Sequence, residues 1–399
     1  MRLLLGLVLL GCRASDGPGG PASDGPAAPE AGADGPPGSD AARPEGRKVF
    51  VYAGGGGHLG VFSLDLDDGS LAAKGVVPAG EDARLFAVEP ALPPRRVHVQ
   101  TQTGDVHSIV TYALDAADGL PRPVDTRVLP APMVEGVSQM SRHPTAPWLL
   151  ISATVGAGLE DQLLPVGADG AMGEAQPLAR EFYAFSWDPS GKYFFGLDME
   201  AIKQFVFEPV AGRLSPNVPA QAEGSAGHVV SSLFHHPQGW VFAVEEQAVG
   251  VFAFDGQTGT LQIRGFVGNP TPSEAVYWTS AALHPQGRLV YLLGYLADTR
   301  SLILDLFAFD PATGELGFVG RTPGETGPRL RNTGLWAPLL VGDYLLVGGE
   351  REDGDQAVLR VYRMDGQDGK LRAVAESLPL EPVGERAVNF LFARDPGGP

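Results

Sequence analysis

A single cysteine, Cys12, stands among 399 residues, so no disulfide can close within the chain and no multi-cysteine metal site can be assembled from it. Basic residues are also scarce. The 29 Lys and Arg are outnumbered by 47 Asp and Glu, the formal charge is -18, and no run of Lys or Arg offers a track for a phosphate backbone. Nucleic acid is therefore not an expected partner, and the acidity reads as the solubility of an exported surface. Long apolar runs are missing: Leu3 to Leu10 is far too short to span a bilayer as a helix. No stretch repeats its apolar residues at helical spacing for more than a turn or two. Two catalytic signatures are absent as well. Gly54-Gly55-Gly56-Gly57 is not followed by the Gly-Lys-Ser/Thr of a phosphate loop, and Glu223 occupies the first position of the one near match to a Gly-x-Ser-x-Gly elbow, Gly224-Ser225-Ala226-Gly227.

What is present begins at the N-terminus. Met1-Arg2, the apolar run and Leu9-Leu10-Gly11-Cys12 resemble a lipoprotein signal peptide over 1–11 that ends in a bacterial lipobox, with Cys12 as the lipidated residue. Residues 12–46 are rich in Gly, Pro, Ala, Ser and Asp without hydrophobic period, the composition of a disordered tether with an r.m.s. span of roughly 30 Å. The expectation is a cell-envelope lipoprotein held at the membrane through acyl chains. Arg13, where an Asp would mark inner-membrane retention, tilts the placement towards the outer membrane.

The remainder, 47–395, is organised by repeats of the form apolar-aromatic-x-apolar-acidic, turn, Gly-x-Leu. Seven units end at Leu71, Leu120, Met172, Leu214, Leu261, Leu316 and Leu371, the third being degenerate at Leu164-Pro165-Val166. Their spacing, 42 to 55 residues, is room for four short strands and their turns, which is one propeller blade. Pro-x-Gly turns recur between apolar runs at Pro189-Ser190-Gly191, Pro237-Gln238-Gly239 and Pro285-Gln286-Gly287. Runs such as Trp148-Leu149-Leu150-Ile151 and Leu289-Val290-Tyr291-Leu292-Leu293 fit strands covered on both faces. The predicted fold is all-β, a seven-bladed β-propeller. Lys48 to Ala53 lacks an inner strand and Ala387 to Phe392 stands alone, so the two termini are expected to share one blade and leave no open edge.

The units Phe252 to Leu261 and Phe307 to Leu316, with His284-Pro285-Gln286-Gly287-Arg288 running on to Tyr291, resemble the seven-bladed lactonase family that includes 6-phosphogluconolactonases and carboxymuconate cyclases. The resemblance covers roughly Lys48 to Arg394. It implies lactone opening or closing by His, Arg and Glu side chains at the channel mouth, with no cofactor and no metal. The family's two-histidine motif falls on Arg180-Glu181-Phe182-Tyr183-Ala184, its Arg-His pair on Ser231-Ser232, and its Glu on Ser280. Gly327-Pro328-Arg329-Leu330-Arg331-Asn332 retains the basic residue of the last blade.

Lactone opening requires a group to activate water and a cation or donor to hold the developing oxyanion. Glu181, His228 and Arg331 are the catalytic candidates. His58, Arg84, Tyr183, Ser231 and Ser280 are candidates for a ligand-binding rim, and Tyr277 and Trp278 are read as packing between blades. His143, His235, His236 and His284 each precede a turn proline by one or two residues. That repetition points to turn hydrogen bonding and not to metal. Asp65-Leu66-Asp67-Asp68-Gly69 lacks the spacing of a calcium loop and is likewise read as a turn. Two functions stand side by side: a lactonase-like hydrolase of a sugar or organic-acid lactone with a diverged site, or a non-catalytic envelope propeller docking a carbohydrate, another small ligand or an envelope protein at the same rim.

Overall fold

The computed structural model describes residues 47–394 apart from 56, 90–94, 130–132, 156–157, 179–181, 183, 199–200, 223–229, 272, 323–329, 332–337, 352–356, 367 and 378–389. Every regular element among them is a strand. The strands form seven antiparallel sheets, six of four strands and one of five. In blades 2 to 7 the chain runs from the innermost strand outwards, as in blade 6 with Val276–Leu283, Leu289–Leu296, Leu302–Asp310 and Glu315–Thr322. Blade 1 is composite. The N-terminal strands Lys48–Gly55, His58–Asp65 and Leu71–Pro78 receive the C-terminal strand Phe390–Arg394 as their innermost member, with Phe50 opposite Arg394 and Gly54 opposite Phe390. The five-stranded blade 7 has its inner strand in two pieces, Leu330–Arg331 and Leu339–Val341, both paired with Tyr344–Arg351.

Second strands are buried on both faces, as in Tyr193–Leu197 and Trp240–Glu245, because each sheet is covered by its two neighbours. Outer strands such as Thr260–Gly268 alternate exposed and half-buried residues on the propeller's flank. Most third-to-outer pairings carry a one-residue bulge, for example between Val251 and Phe252 and between Leu306 and Phe307, which gives the flank its twist.

One contact recurs at all seven blade junctions. The first or third residue of a second strand, namely Phe50, Arg96, Trp148, Tyr193, Trp240, Leu289 and Tyr344, lies under the turn glycine between the third and outer strands of the following blade. Gly259, at φ +71, and Gly314, at φ +81, leave no room for a side chain against Tyr193 and Trp240. Tyr344 of blade 7 sits under Gly69 of blade 1, so the same contact closes the ring. Polar ends of these side chains bind across the junction: Trp148 Nε1 donates to the Pro209 carbonyl at 2.7 Å and Trp240 Nε1 to that of Pro311 at 3.1 Å. Asp255 and Asp310 fix the turns themselves by accepting the Gln257 and Ala312 amides at 2.8 and 2.9 Å. This is the turn role foreseen for the repeated acidic position.

The turn histidines form a second inter-blade contact. His143 Nδ1 accepts the Ala146 amide at 2.8 Å, and its Nε2 donates to the Gly191 carbonyl of the next blade at 2.8 Å. His236 repeats the arrangement with Gln238 at 3.1 Å and Gly287 at 2.6 Å. Both bonds require the neutral ring with its proton on Nε2.

Candidate functional site

Blade connectivity gives the propeller two unlike faces. One carries the inner-to-second and third-to-outer hairpins just described and is called the turn face here. The other carries the second-to-third hairpins and the connections between blades, and the described rim candidates, His58, Arg84, Ser231 and Ser280, lie in the chain towards this side.

The inner strands enter from the rim face, and four of them carry a bulge soon after entry. In Asp82–Val88 the register jumps from Ala83 to Leu85, leaving Arg84 as the extra residue. In Met133–Arg142, which also shifts between Met133 and Gly136, it jumps at the same level from Val137 to Gln139, in Val230–His236 from Val230 to Ser232, and in Val276–Leu283 from Trp278 to Ser280. The extra residues are Ser138, Ser231 and Thr279. A bulge leaves its residue outside the ladder and turns the strand locally, a device that re-aims the side chain at that position. Blades 2, 3, 5 and 6 therefore place Arg, Ser, Ser and Thr at one equivalent level of the inner ring.

The structure brings Arg84 and Ser231 together in this sense, and it puts Thr279 there instead of Ser280. Ser280 pairs with Leu293 in the ladder; both side chains are buried, Ser280 at 5 % exposed and Thr279 at 7 %, and Thr279 Oγ1 donates to the Leu293 carbonyl at 3.3 Å. Thr279 and Ser138 escaped sequence reasoning. The signal for both was adjacent polar residues inside an apolar strand, Ser138-Gln139 and Thr279-Ser280, as also at Ser231-Ser232. Arg331 lies opposite Glu350, a register that matches Tyr277 opposite Tyr295 in blade 6, two residues before the bulge level. His58 opens its strand at the rim, opposite Gly55 and Pro78, and is half-buried. Glu181, Tyr183 and His228, like Cys12 and the segments 1–11 and 12–46, lie outside the described residues, as do the side chains of Arg84, Ser138, Ser231 and Arg331.

Around Arg331 the rim of blades 5 to 7 is built from charge pairs and aromatic rings. Tyr277 stacks on Tyr295 with ring centres 5.5 Å apart, whereas Trp278 is fully buried and donates through Nε1 to Asp305 Oδ2 at 3.0 Å. Arg321 binds the same carboxylate through Nε at 2.6 Å and Nη2 at 3.0 Å, and reaches Glu274 through Nη1. Burial opposes the charge on Arg321, but Asp305 and Glu274 outweigh it and hold the guanidinium pKa above its usual value. Blade 7 reverses the signs at the equivalent place: Arg360 binds Glu376 through Nε at 2.8 Å. Between the two pairs opens a cleft of about 160 Å³ lined by Leu302, Leu304, Arg321, Leu330, Arg360 and Tyr362, ending one residue before Arg331. Its apolar walls and guanidinium groups suit a small ligand with a polar edge.

No family model matches the sequence, and no curated protein matches it. Solved structures do resemble the fold. A periplasmic gluconolactonase of Pseudomonas aeruginosa superposes with a TM-score of 0.68 at 19 % identity, over 87 % of this chain and 99 % of that one. A Bacteroides fragilis protein assigned as a 6-phosphogluconolactonase gives 0.70 at 16 % identity over 90 % of this chain and 100 % of that one. One of Bacteroides uniformis with the same assignment gives 0.68 at 17 % identity over 87 % and 99 %. What the likeness establishes is the architecture: this chain is a seven-bladed β-propeller of the form found in those lactonase structures.

Proposed function

We propose that the chain is an exported, lipid-anchored propeller that hydrolyses a sugar or organic-acid lactone at its rim face. The observation that carries this reading is the row of inner-strand bulges, which sets Arg84, Ser138, Ser231 and Thr279 at one level of a fold shared almost end to end with structures described as lactonases. In the proposed reaction Glu181 or His228 takes a proton from water as it attacks the lactone carbonyl carbon. Arg331 and Arg84 hold the oxyanion of the tetrahedral intermediate, and the ring ester bond then breaks, the released alkoxide oxygen taking up the proton. Export follows from the Leu9-Leu10-Gly11-Cys12 motif, with Cys12 as the point of membrane attachment and the outer membrane as the favoured location, and the Pseudomonas neighbour described as periplasmic supports it. A phosphorylated sugar lactone is disfavoured in that compartment.

The test is a purified-protein assay over a panel of five- and six-membered lactones. Turnover above the buffer rate, reduced about 10²-fold or more in Arg331→Ala, is the expected result, the size being that of losing an oxyanion donor. A second reading is favoured by Ser280, which stands where the lactonase family carries its Glu and is buried in the inner strand. Under it the rim binds a carbohydrate or an envelope protein without turnover, and saturable lactone binding at buffer-level hydrolysis would select it.

A further inference from the structure

The junction between blades 2 and 3 departs from the other six. At the position under the next blade's turn glycine the others carry Phe50, Trp148, Tyr193, Trp240, Leu289 and Tyr344, whereas this one carries Arg96 under Gly170. Two residues on, Tyr52 and Tyr291 send their hydroxyls to the carbonyls of Gly119 and Gly369 at 2.8 Å. Blade 2 has His98 there, and its Nδ1 meets Thr111 Oγ1 at 2.9 Å while Thr111 donates to the Gly170 carbonyl at 3.2 Å. The Thr111 proton is committed to Gly170, so His98 carries a proton on Nδ1 and donates it to Thr111 Oγ1. Burial, with Arg142 and Arg96 nearby, holds its pKa down at about 3.

Across the junction, Arg142 ends the inner strand of blade 3, opposite Leu149. Its counterparts by register are Trp187, His235 and Leu283. In the next junction the corresponding pair is the ring contact of His143 with Trp187, centres 4.7 Å apart. Here the same two places hold Glu89 and Arg142. Glu89 Oε1 is 3.5 Å from Arg96 Nη1, but its Oε2 has no hydrogen-bond partner, and neither Nε nor Nη1 of Arg142 has one although all three atoms are buried. Burial is the main influence on Arg142, drawing its pKa down to about 10, so it stays charged at neutral pH.

Two guanidinium groups, one carboxylate and a neutral imidazole leave one uncompensated positive charge. A partly buried charge whose Nε and Nη1 lack acceptors is costly unless a counter-charge with hydrogen-bond acceptors meets it. We propose that the inward end of the blade 2 to blade 3 junction binds a compact monoanion, a halide or a small carboxylate, between Arg96 and Arg142. A single negative charge completes the balance, whereas a dianion overshoots it and is strongly hydrated. The site lies on the turn face and is independent of the proposed lactonase reaction at the rim.

The experiment follows the thermal midpoint of the purified protein in sodium sulfate buffer as sodium bromide or sodium formate replaces sulfate at constant ionic strength. A saturable rise of a few degrees is expected for the native protein and its loss in Arg142→Met, which is uncharged like Trp187 and Leu283 at the equivalent positions. Arg96→Phe, which restores the residue type of the other junctions, is expected to lose the response too, and it serves if Arg142→Met does not fold. Crystals soaked in bromide should show an anomalous peak within hydrogen-bond reach of Arg142 Nε. If bromide alone acts, the site is a halide site, and if formate acts at lower concentration, a carboxylate site. An equal anion response in native protein and both variants, or no response and no peak, overturns the proposal.

Discussion

The two faces of this propeller are built by opposite rules. On the turn face the same devices recur from blade to blade: an acidic residue capping its hairpin, a glycine at positive φ, a ring beneath it and a histidine reaching the next blade. On the rim face only the backbone repeats. The bulge returns at the same level in four blades while its residue changes from Arg84 to Ser138, Ser231 and Thr279. Repetition of side chains marks where the ring is held together. Repetition of backbone with varied side chains is the pattern expected of a scaffold that presents a site, with stability and recognition assigned to different loops.

The contrast breaks most visibly if a turn-face ring is removed. Trp240 packs edge-on to Phe309 at 5.6 Å and lies under Gly314 while donating to the Pro311 carbonyl. Trp240→Ala should cost about 3–5 kcal/mol in urea unfolding, the range for truncating a large buried aromatic side chain. A loss below about 1 kcal/mol would mean that the ring contacts are incidental to closure, since a truncation that small matches a surface site.

How the two faces differ also decided what could be read in advance. Side-chain repetition is visible in a sequence, so the seven units, the composite blade and the turn roles of His143, His236 and Asp310 were all legible. A bulge is not visible, because strand alternation records which residues are apolar and not which one has dropped out of register. The sequence pattern therefore points to Ser280, whereas the register sets Thr279 at the bulge and Arg331 two residues before that level. Arg96 was illegible for another reason. Only register shows that a guanidinium occupies a place filled elsewhere by five rings and Leu289, and register is a property of paired strands.

A subtler break concerns His235, next to the clamping His236 but different in kind. Both its ring nitrogens are buried without a hydrogen-bond partner, between Phe195 at 5.6 Å and Phe254 at 6.0 Å. Burial lowers its pKa from 6.5 to about 4, against the opposing pull of Asp188. The folded pKa lies below the unfolded one, so protons bind the unfolded chain more strongly. Stability from this group is intact above about pH 6.5 and drains as the pH falls towards 4. His235→Phe keeps the ring packing and removes two unsatisfied polar atoms, so a gain of about 1 kcal/mol at pH 7 is expected, and a larger one at pH 5. Unfolding curves at the two pH values check this. A variant that loses stability at pH 7, or keeps the native slope between pH 5 and 7, would show that His235 works as a turn histidine like its neighbour.

The smallest effect on stability is expected at the rim, and there the comparison is sharpest. Ser231 is the residue that blade 5 leaves out of its ladder, and replacing its hydroxyl by hydrogen keeps the backbone groups of the strand intact. Ser231→Ala should shift the unfolding free energy by no more than about 0.5 kcal/mol, as for a surface change that disturbs no cap, core or network. If the bulge level is where the ligand sits, the same substitution should weaken lactone turnover or ligand binding several-fold while the thermal midpoint stays put. A variant that instead loses stability and keeps its ligand would place Ser231 with the structural residues of the turn face, and the bulge would then serve only to bend the inner strand around the channel.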